Sequence, residues 1–164
     1  MLFPHLVRGV PLMKIKIRNY QTSDGDDTML LMRALAKEVG ASFNPEKWRE
    51  SDYLRLFSPG LRRQTLVAED EDTRRVVGMG MVEARLEPTG QLVGYLTNWI
   101  VDKSYRDKGV GRMLAETAID ILTRIGVDLV RVNVGMNVLD KLSEKLKKIG
   151  FNPVYVVFEK ELKK

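Results

Sequence analysis

The chain has 164 residues, 44% hydrophobic and 30% charged, with a formal net charge of +5. That balance fits one soluble domain with one core, and excludes a disordered or collagen-like chain. It holds no cysteine, which excludes a disulfide framework and a thiolate metal site and is compatible with a cytoplasmic, reducing compartment. No stretch approaches the ~20 apolar residues of a membrane span, so no membrane partner is expected.

Met1 to Leu12 carries two prolines and one arginine without a cleavage pattern, and reads as an N-terminal tail ahead of a single domain over 13–164. Lys14 to Tyr20 alternates polar and apolar residues, the pattern of a half-buried strand. Met29 to Val39 reads as a helix stopped by Gly40. Asn44-Pro45-Glu46 is a second helix start, and that helix is expected to carry Trp48, Tyr53, Leu54 and Phe57, with Trp48, Tyr53 and Phe57 as core, before Pro59-Gly60 ends it. Thr65 to Glu69, Val76 to Leu86 and Val93 to Val101 are three strands joined by short turns, an antiparallel meander. The acids Glu69 to Asp72 lie in the first of those turns and lack a cation-loop pattern.

The period then changes. Val110, Met113, Leu114, Thr117, Ala118, Ile121, Leu122 and Ile125 share one helical face, closed by Gly126. Leu129 to Val134 is a β-branched strand, and the intervening helix makes a parallel pairing with 93–101. Asn137 is expected to cap a further helix with Leu139, Leu142, Leu146 and Ile149, ended by Gly150. Its lysines Lys141, Lys145, Lys147 and Lys148 read as a solvated face. Pro153 to Phe158 is the last expected strand. The predicted fold class is α/β (α+β): a mixed, mostly antiparallel sheet with helices on both faces.

One junction carries chemistry. The strand ending at Val101 runs through Asp102-Lys103-Ser104-Tyr105 into Arg106-x-x-Gly109-x-Gly111, which opens a helix. A helix N-terminus leaves backbone N–H groups unpaired and a partial positive charge, a natural seat for phosphate. Glycine at 109 and 111 lets backbone approach a ligand closely. Arg106, Arg112 and Lys108 add positive charge. An NTPase P-loop needs a Gly-Lys-Ser/Thr ending that is absent, and a dinucleotide fingerprint fails because Leu114 stands at its third glycine.

The string Trp99-Ile-Val-Asp-Lys-Ser-Tyr-Arg-Asp-Lys-Gly-Val-Gly-Arg-Met-Leu114, with Gly150-Phe151 after the last helix, resembles the GCN5-related N-acetyltransferase (GNAT) superfamily. The likeness covers the chain from about Lys14 onward, in element order as well as motif. It implies acetyl-CoA as co-substrate, with no metal. The backbone of Trp99, Ile100 and Val101 would pair with the pantetheine arm. The loop Arg106, Asp107, Lys108, Gly109, Val110, Gly111 and Arg112 would hold the pyrophosphate. Asn137 matches a family asparagine that contacts the cofactor arm. Tyr105 is expected to pack beneath the loop.

The side chains that usually move protons in that family are missing. Strand 93–101 holds no acid, and the position of the family's tyrosine is Leu146 counted from Gly150, or Glu144 counted from Asn137. No catalytic residue is therefore assigned. Glu83 acting through water, Asn98 and Asn133 are the weaker candidates for lining an acceptor site. His5 is the only histidine and lies in the tail, which removes a Ser-His-Asp triad or histidine metal site. The expected activity is acetyl transfer from acetyl-CoA to a primary amine, of a small molecule or a protein, by direct attack in a ternary complex. The alternative is an acyl-CoA sensor or partner subunit with little transfer. A homodimer stays open as an assembly. Nucleic acid is not an expected partner, because interleaved aromatics and a reading helix are absent.

Overall fold

In a computed structural model the described residues are 13–164; the expected tail and His5 lie outside them. The chain divides into two compact units, the first ending at Asn133 and the second running from Val134 to Lys164.

The first unit is built on one five-stranded sheet. Its strands are β1 (Ile15–Asn19), β2 (Arg63–Asp70), β3 (Val76–Leu86), β4 (Leu92–Val101) and β5 (Leu129–Val132), in that spatial order. The first three pairings are antiparallel, and β4 pairs with β5 in parallel. The parallel step requires a long crossover, supplied by α3 (Val110–Ile125). Helix α1 (Gly25–Val39) follows β1, and Gly40 ends it in the left-handed conformation.

Alternation along the strands sends side chains to two cores. Leu66, Ala68, Val82, Ala84 and Leu96 pack against Val110, Leu114, Ala118 and Leu122 of α3. Val67, Met79 and Ile100 face the other way and pack with Tyr20, Val76 and Leu31 of α1. Helices therefore cover both faces of the sheet, as expected.

One bulge interrupts the alternation. Met79 pairs with Ile100 but Met81 pairs with Thr97, so Gly80 opposes both Asn98 and Trp99. The extra residue turns on Asn98, which sits at φ 53. Before the bulge Leu96 faces the α3 core; after it Trp99 and Val101 do. A one-residue insertion thus reverses which side chains face each helix layer. Asparagine tolerates a left-handed backbone and β-branched residues do not. Asn98→Val is expected to destabilise the protein by about 1–2 kcal/mol, while Asn98→Gly folds with nearly parental stability; urea unfolding of both variants checks this.

Three expectations need correction. The second helix, α2, spans only Pro45–Glu50, begun by Asn44, whose side chain accepts from the Lys47 N–H at 3.0 Å. It stops because the Trp48 carbonyl, which would accept from residue 52, is taken by Arg55 Nη2 at 2.7 Å and Ser51 Oγ at 3.2 Å. A short 3-10 turn, Asp52–Leu54, follows. Tyr53 and Phe57 are consequently exposed and not core, whereas Arg55 is buried with its guanidinium 3.8 Å from the Trp48 ring.

The other two corrections fall in the second unit. Asn137 lies inside a 3-10 turn, Met136–Val138, and does not cap the helix α4 (Leu139–Lys148), whose N-cap is Val138. The chain has already turned two residues earlier, at Gly135. Residues 153–158 form no strand: they run without regular secondary structure, and Val154 to Phe158 are exposed. Their β-branched and aromatic composition suits a pleated sheet, but a strand exists only within a ladder, and no ladder among the described residues includes them. Gly150 ends α4 at φ 93, and Lys141, Lys145, Lys147 and Lys148 are exposed, both as expected.

Candidate functional site

The strand-to-helix junction is built as the sequence implies. β4 pairs with β5 only from Val93 to Leu96, opposite Leu129 to Val132. Beyond Leu96 the two strands share no further pairing, while β4 continues beside β3 to Val101. Among the described residues, Thr97 to Val101 thus form an edge unpaired on the β5 side. Trp99, Ile100 and Val101, the expected pantetheine partners, lie on that edge.

After Val101 the chain makes the 3-10 turn Lys103–Tyr105. Asp102 begins it, accepting from the Ser104 N–H at 2.9 Å and the Ser104 hydroxyl at 2.5 Å. These bonds hold the Asp102 carboxyl below its ordinary pKa. Asp107 and Gly109 then both take positive φ, 58 and 87. The double reversal aims the chain into α3, whose first bond runs from the Met113 N–H to the Gly109 carbonyl at 3.0 Å. The amides of Val110, Gly111 and Arg112 precede that bond and have no helical acceptor. The N-cap residue, Gly109, has no side chain with which to cap them.

Space above these amides is open. A Cβ placed on Gly109 would meet no atom within 4 Å, and one on Gly111 would meet only Val101 Cγ2 at 3.6 Å. Packing within the protein therefore does not require glycine at 111. Helix N-terminal amides are a donor set that suits an anion such as a pyrophosphate.

The basic side chains of the loop all have partners within the protein. Arg106 Nε donates to the Val101 carbonyl at 2.8 Å, and Nη2 donates to Glu38 Oε1 at 2.6 Å. Lys108 Nζ donates to the Ser104 carbonyl at 2.9 Å, and Arg112 pairs with Glu116 at 2.7 Å. All three brace the loop or its helix. The Arg106 bond also occupies the Val101 carbonyl.

Tyr105 does pack beneath the loop, donating its hydroxyl to Asp70 Oδ2 at 2.6 Å. Asp70 also accepts from the Asp72 and Thr73 amides and is buried, where the sequence suggested a solvated acidic turn. The Tyr105 bond pulls the Asp70 carboxyl below its ordinary pKa and raises that of Tyr105. A depressed carboxyl stabilises the fold above its unfolded pKa and loses that contribution as pH falls through its folded value. Tyr105→Phe is therefore expected to melt below the parent at neutral pH, with the gap closing below about pH 4. Melting curves of both proteins from neutral to acid pH check this.

The weaker acceptor-lining candidates separate. Glu83 stands on β3 between Arg63 of β2 and Tyr95 of β4, and Tyr95 stands beside Arg131 of β5. One row of side chains, Arg63, Glu83, Tyr95 and Arg131, thus crosses four strands on the face opposite α3. Glu83 also pairs with Arg85 at 3.3 Å. Tyr95 donates to Glu87 and accepts from Arg131 Nη1 at 3.1 Å. Asn98 sits at the bulge with Nδ2 2.9 Å from Met81 Sδ. Asn133 lies just past β5 and is exposed, and Asn137 belongs to the second unit. The place of Tyr95 in this row was not legible in the sequence, because its partners come from a hairpin and a crossover strand.

A family model described as the acetyltransferase (GNAT) family matches residues 31–156. The chain belongs to that family. Solved structures agree on the fold. Glucosamine-6-phosphate N-acetyltransferase from Arabidopsis thaliana is 19% identical, with a TM-score of 0.72 over 92% of this chain and 99% of that one. A ribosomal-protein-alanine N-acetyltransferase from Brucella melitensis is 15% identical, with a TM-score of 0.71 over 90% and 99%. An aminoglycoside N-acetyltransferase solved in complex with CoA is 14% identical, with a TM-score of 0.73 over 91% and 95%. Among curated protein sequences nothing matches. Family GNAT members of such low identity share an architecture, and this chain has its sheet, its crossover helix and its glycine loop. Among the described residues no cluster of acids or histidines could hold a metal, and no helix is long and apolar enough to cross a membrane.

Proposed function

We propose that the protein transfers an acetyl group from acetyl-CoA to a primary amine. The observation that carries this reading is the continuous run from a β4 edge unpaired on the β5 side into a glycine loop that opens helix α3, whose first amides have no helical acceptor. The edge offers main-chain hydrogen bonds to an extended amide-bearing arm, and the loop offers N–H donors to a pyrophosphate. The cofactor residues are the backbone of Trp99, Ile100 and Val101 and the loop from Arg106 to Arg112, all in the first unit. Residues 13–164 serve as one acetyltransferase domain, consistent with a family match that crosses both units.

In the transfer the amine nitrogen forms a bond to the acetyl carbonyl carbon and the carbon–sulfur bond breaks. The nitrogen loses a proton and the departing thiolate gains one. Holding both reactants in place and orienting a backbone N–H toward the carbonyl supply much of the rate of such a step. β4 carries no carboxylate of its own. Glu83, on the neighbouring strand and in one row with Tyr95, is the acid best placed to receive the proton through water.

The absence of a carboxylate on β4 also favours a second reading, an acyl-CoA sensor with little transfer. Thermal shift with acetyl-CoA, followed by thiol release across a panel of small and peptide amines, separates the two. Stabilisation with release on at least one amine supports the transferase. Stabilisation without release on any amine favours the sensor, and no stabilisation by acetyl-CoA sinks both.

A further inference from the structure

We propose that Glu38 is a positioning residue for the cofactor loop, acting through Arg106; this rests on the reading that the loop binds CoA. Glu38 sits in the last turn of α1, 68 residues from Arg106 in sequence. A carboxylate there faces the negative end of the helix dipole, so it does not help the helix. Lys37, beside it, has the favourable sign. What Glu38 does gain is a 2.6 Å bond to Arg106 Nη2, in a pair whose side chains are 35% and 29% exposed.

Arg106 is the hinge of the loop. Its backbone is extended, at φ −71 and ψ 158, and the next residue, Asp107, is left-handed. The amide of Arg106 makes only a long bond, 3.4 Å, to the Lys103 carbonyl. The side chain instead fixes the turn, with Nε on the last carbonyl of β4 and Nη2 on α1. One guanidinium thereby ties the end of the open edge, the start of the glycine loop and the end of α1 into a single arrangement. Removing Glu38 frees one of its two anchors and lets the loop amides spread over more orientations. An anion-binding loop that must be ordered on binding loses affinity.

The sign of the effect discriminates. If Glu38 acted only as a charge near an anionic ligand, removing it would tighten binding, because a repulsive carboxylate would be gone. The brace predicts the opposite. Titration calorimetry with CoA on the full chain is expected to show a Kd about tenfold higher for Glu38→Ala and about threefold higher for Glu38→Gln, which keeps one acceptor. Melting temperatures without ligand are expected to stay close to the parent. An unchanged or lower Kd for Glu38→Ala overturns the proposal. So does a weakened Kd accompanied by a large fall in melting temperature, since the residue is then merely structural. If the parent itself fails to bind CoA, the reading of the loop fails and the proposal with it; if the parent binds and only the Glu38 effect is missing, the loop reading stands alone.

Discussion

Gly80→Ala is expected to be among the most damaging single-methyl changes in this protein. A Cβ on Gly80 would lie 2.2 Å from Trp99 Cε3 and 2.4 Å from Cζ3. Those atoms belong to a rigid ring, not to the end of a flexible chain. The ring cannot swing aside freely, because the bulge at Asn98 fixes Trp99 on the α3 side, against the core. Overpacking of this kind costs about 1–3 kcal/mol. The same displacement disturbs the unpaired β4 edge, so acetyl-CoA affinity is expected to fall together with stability. Urea unfolding and tryptophan emission, which reports Trp48 and Trp99, measure both. Parental stability in Gly80→Ala would mean that the ring is not held where the structure puts it.

Gly109→Val separates binding from folding more cleanly. The glycine stands at φ 87, where a β-branched residue is strained, and the strain costs about 1–2 kcal/mol. No protein atom lies within 4 Å of the added Cβ, so the core is not overpacked. The added side chain enters space that no other part of the protein fills. Acetyl-CoA affinity is therefore expected to drop by about 100-fold, equivalent to nearly 3 kcal/mol, while the variant still unfolds cooperatively. Calorimetric titration beside a melting curve distinguishes the two effects. Undiminished binding in a folded Gly109→Val protein would remove the loop from the cofactor site.

These two glycines were not equally legible. Gly109 belongs to a local pattern, Arg106-x-x-Gly109-x-Gly111 at the mouth of an amphipathic helix, and its chemistry follows from nearest neighbours along the chain. Gly80 stood out for nothing in its own strand. Its requirement arises from Trp99, which the bulge places opposite it across β3 and β4. The same division holds for Arg106. Its position in the loop could be read directly, but its anchors could not, since Glu38 comes from a helix far away in sequence. Read as positive charge in the loop, it also braces the loop against β4 and α1.

The sequence by itself determined the strand meander, the crossover helix and the glycine loop. Each is written in a short-range signal: period-two alternation, a 3.6-residue apolar face, or glycine at a left-handed turn. The burial of Leu114, Ala118 and Leu122 follows from such a face. Tertiary structure alone decided where α2 stops, which way Trp99 points, what Arg106 holds and whether 153–158 becomes a strand. Each of those depends on a partner that local pattern does not contain: Arg55 on the Trp48 carbonyl, Gly80 beneath the Trp99 ring, Glu38 beside Arg106, and a neighbouring strand that residues 153–158 do not find. Hydrogen bonds and ring contacts between distant segments form only once the sheet has brought them together, and they set the local geometry that periodicity leaves open.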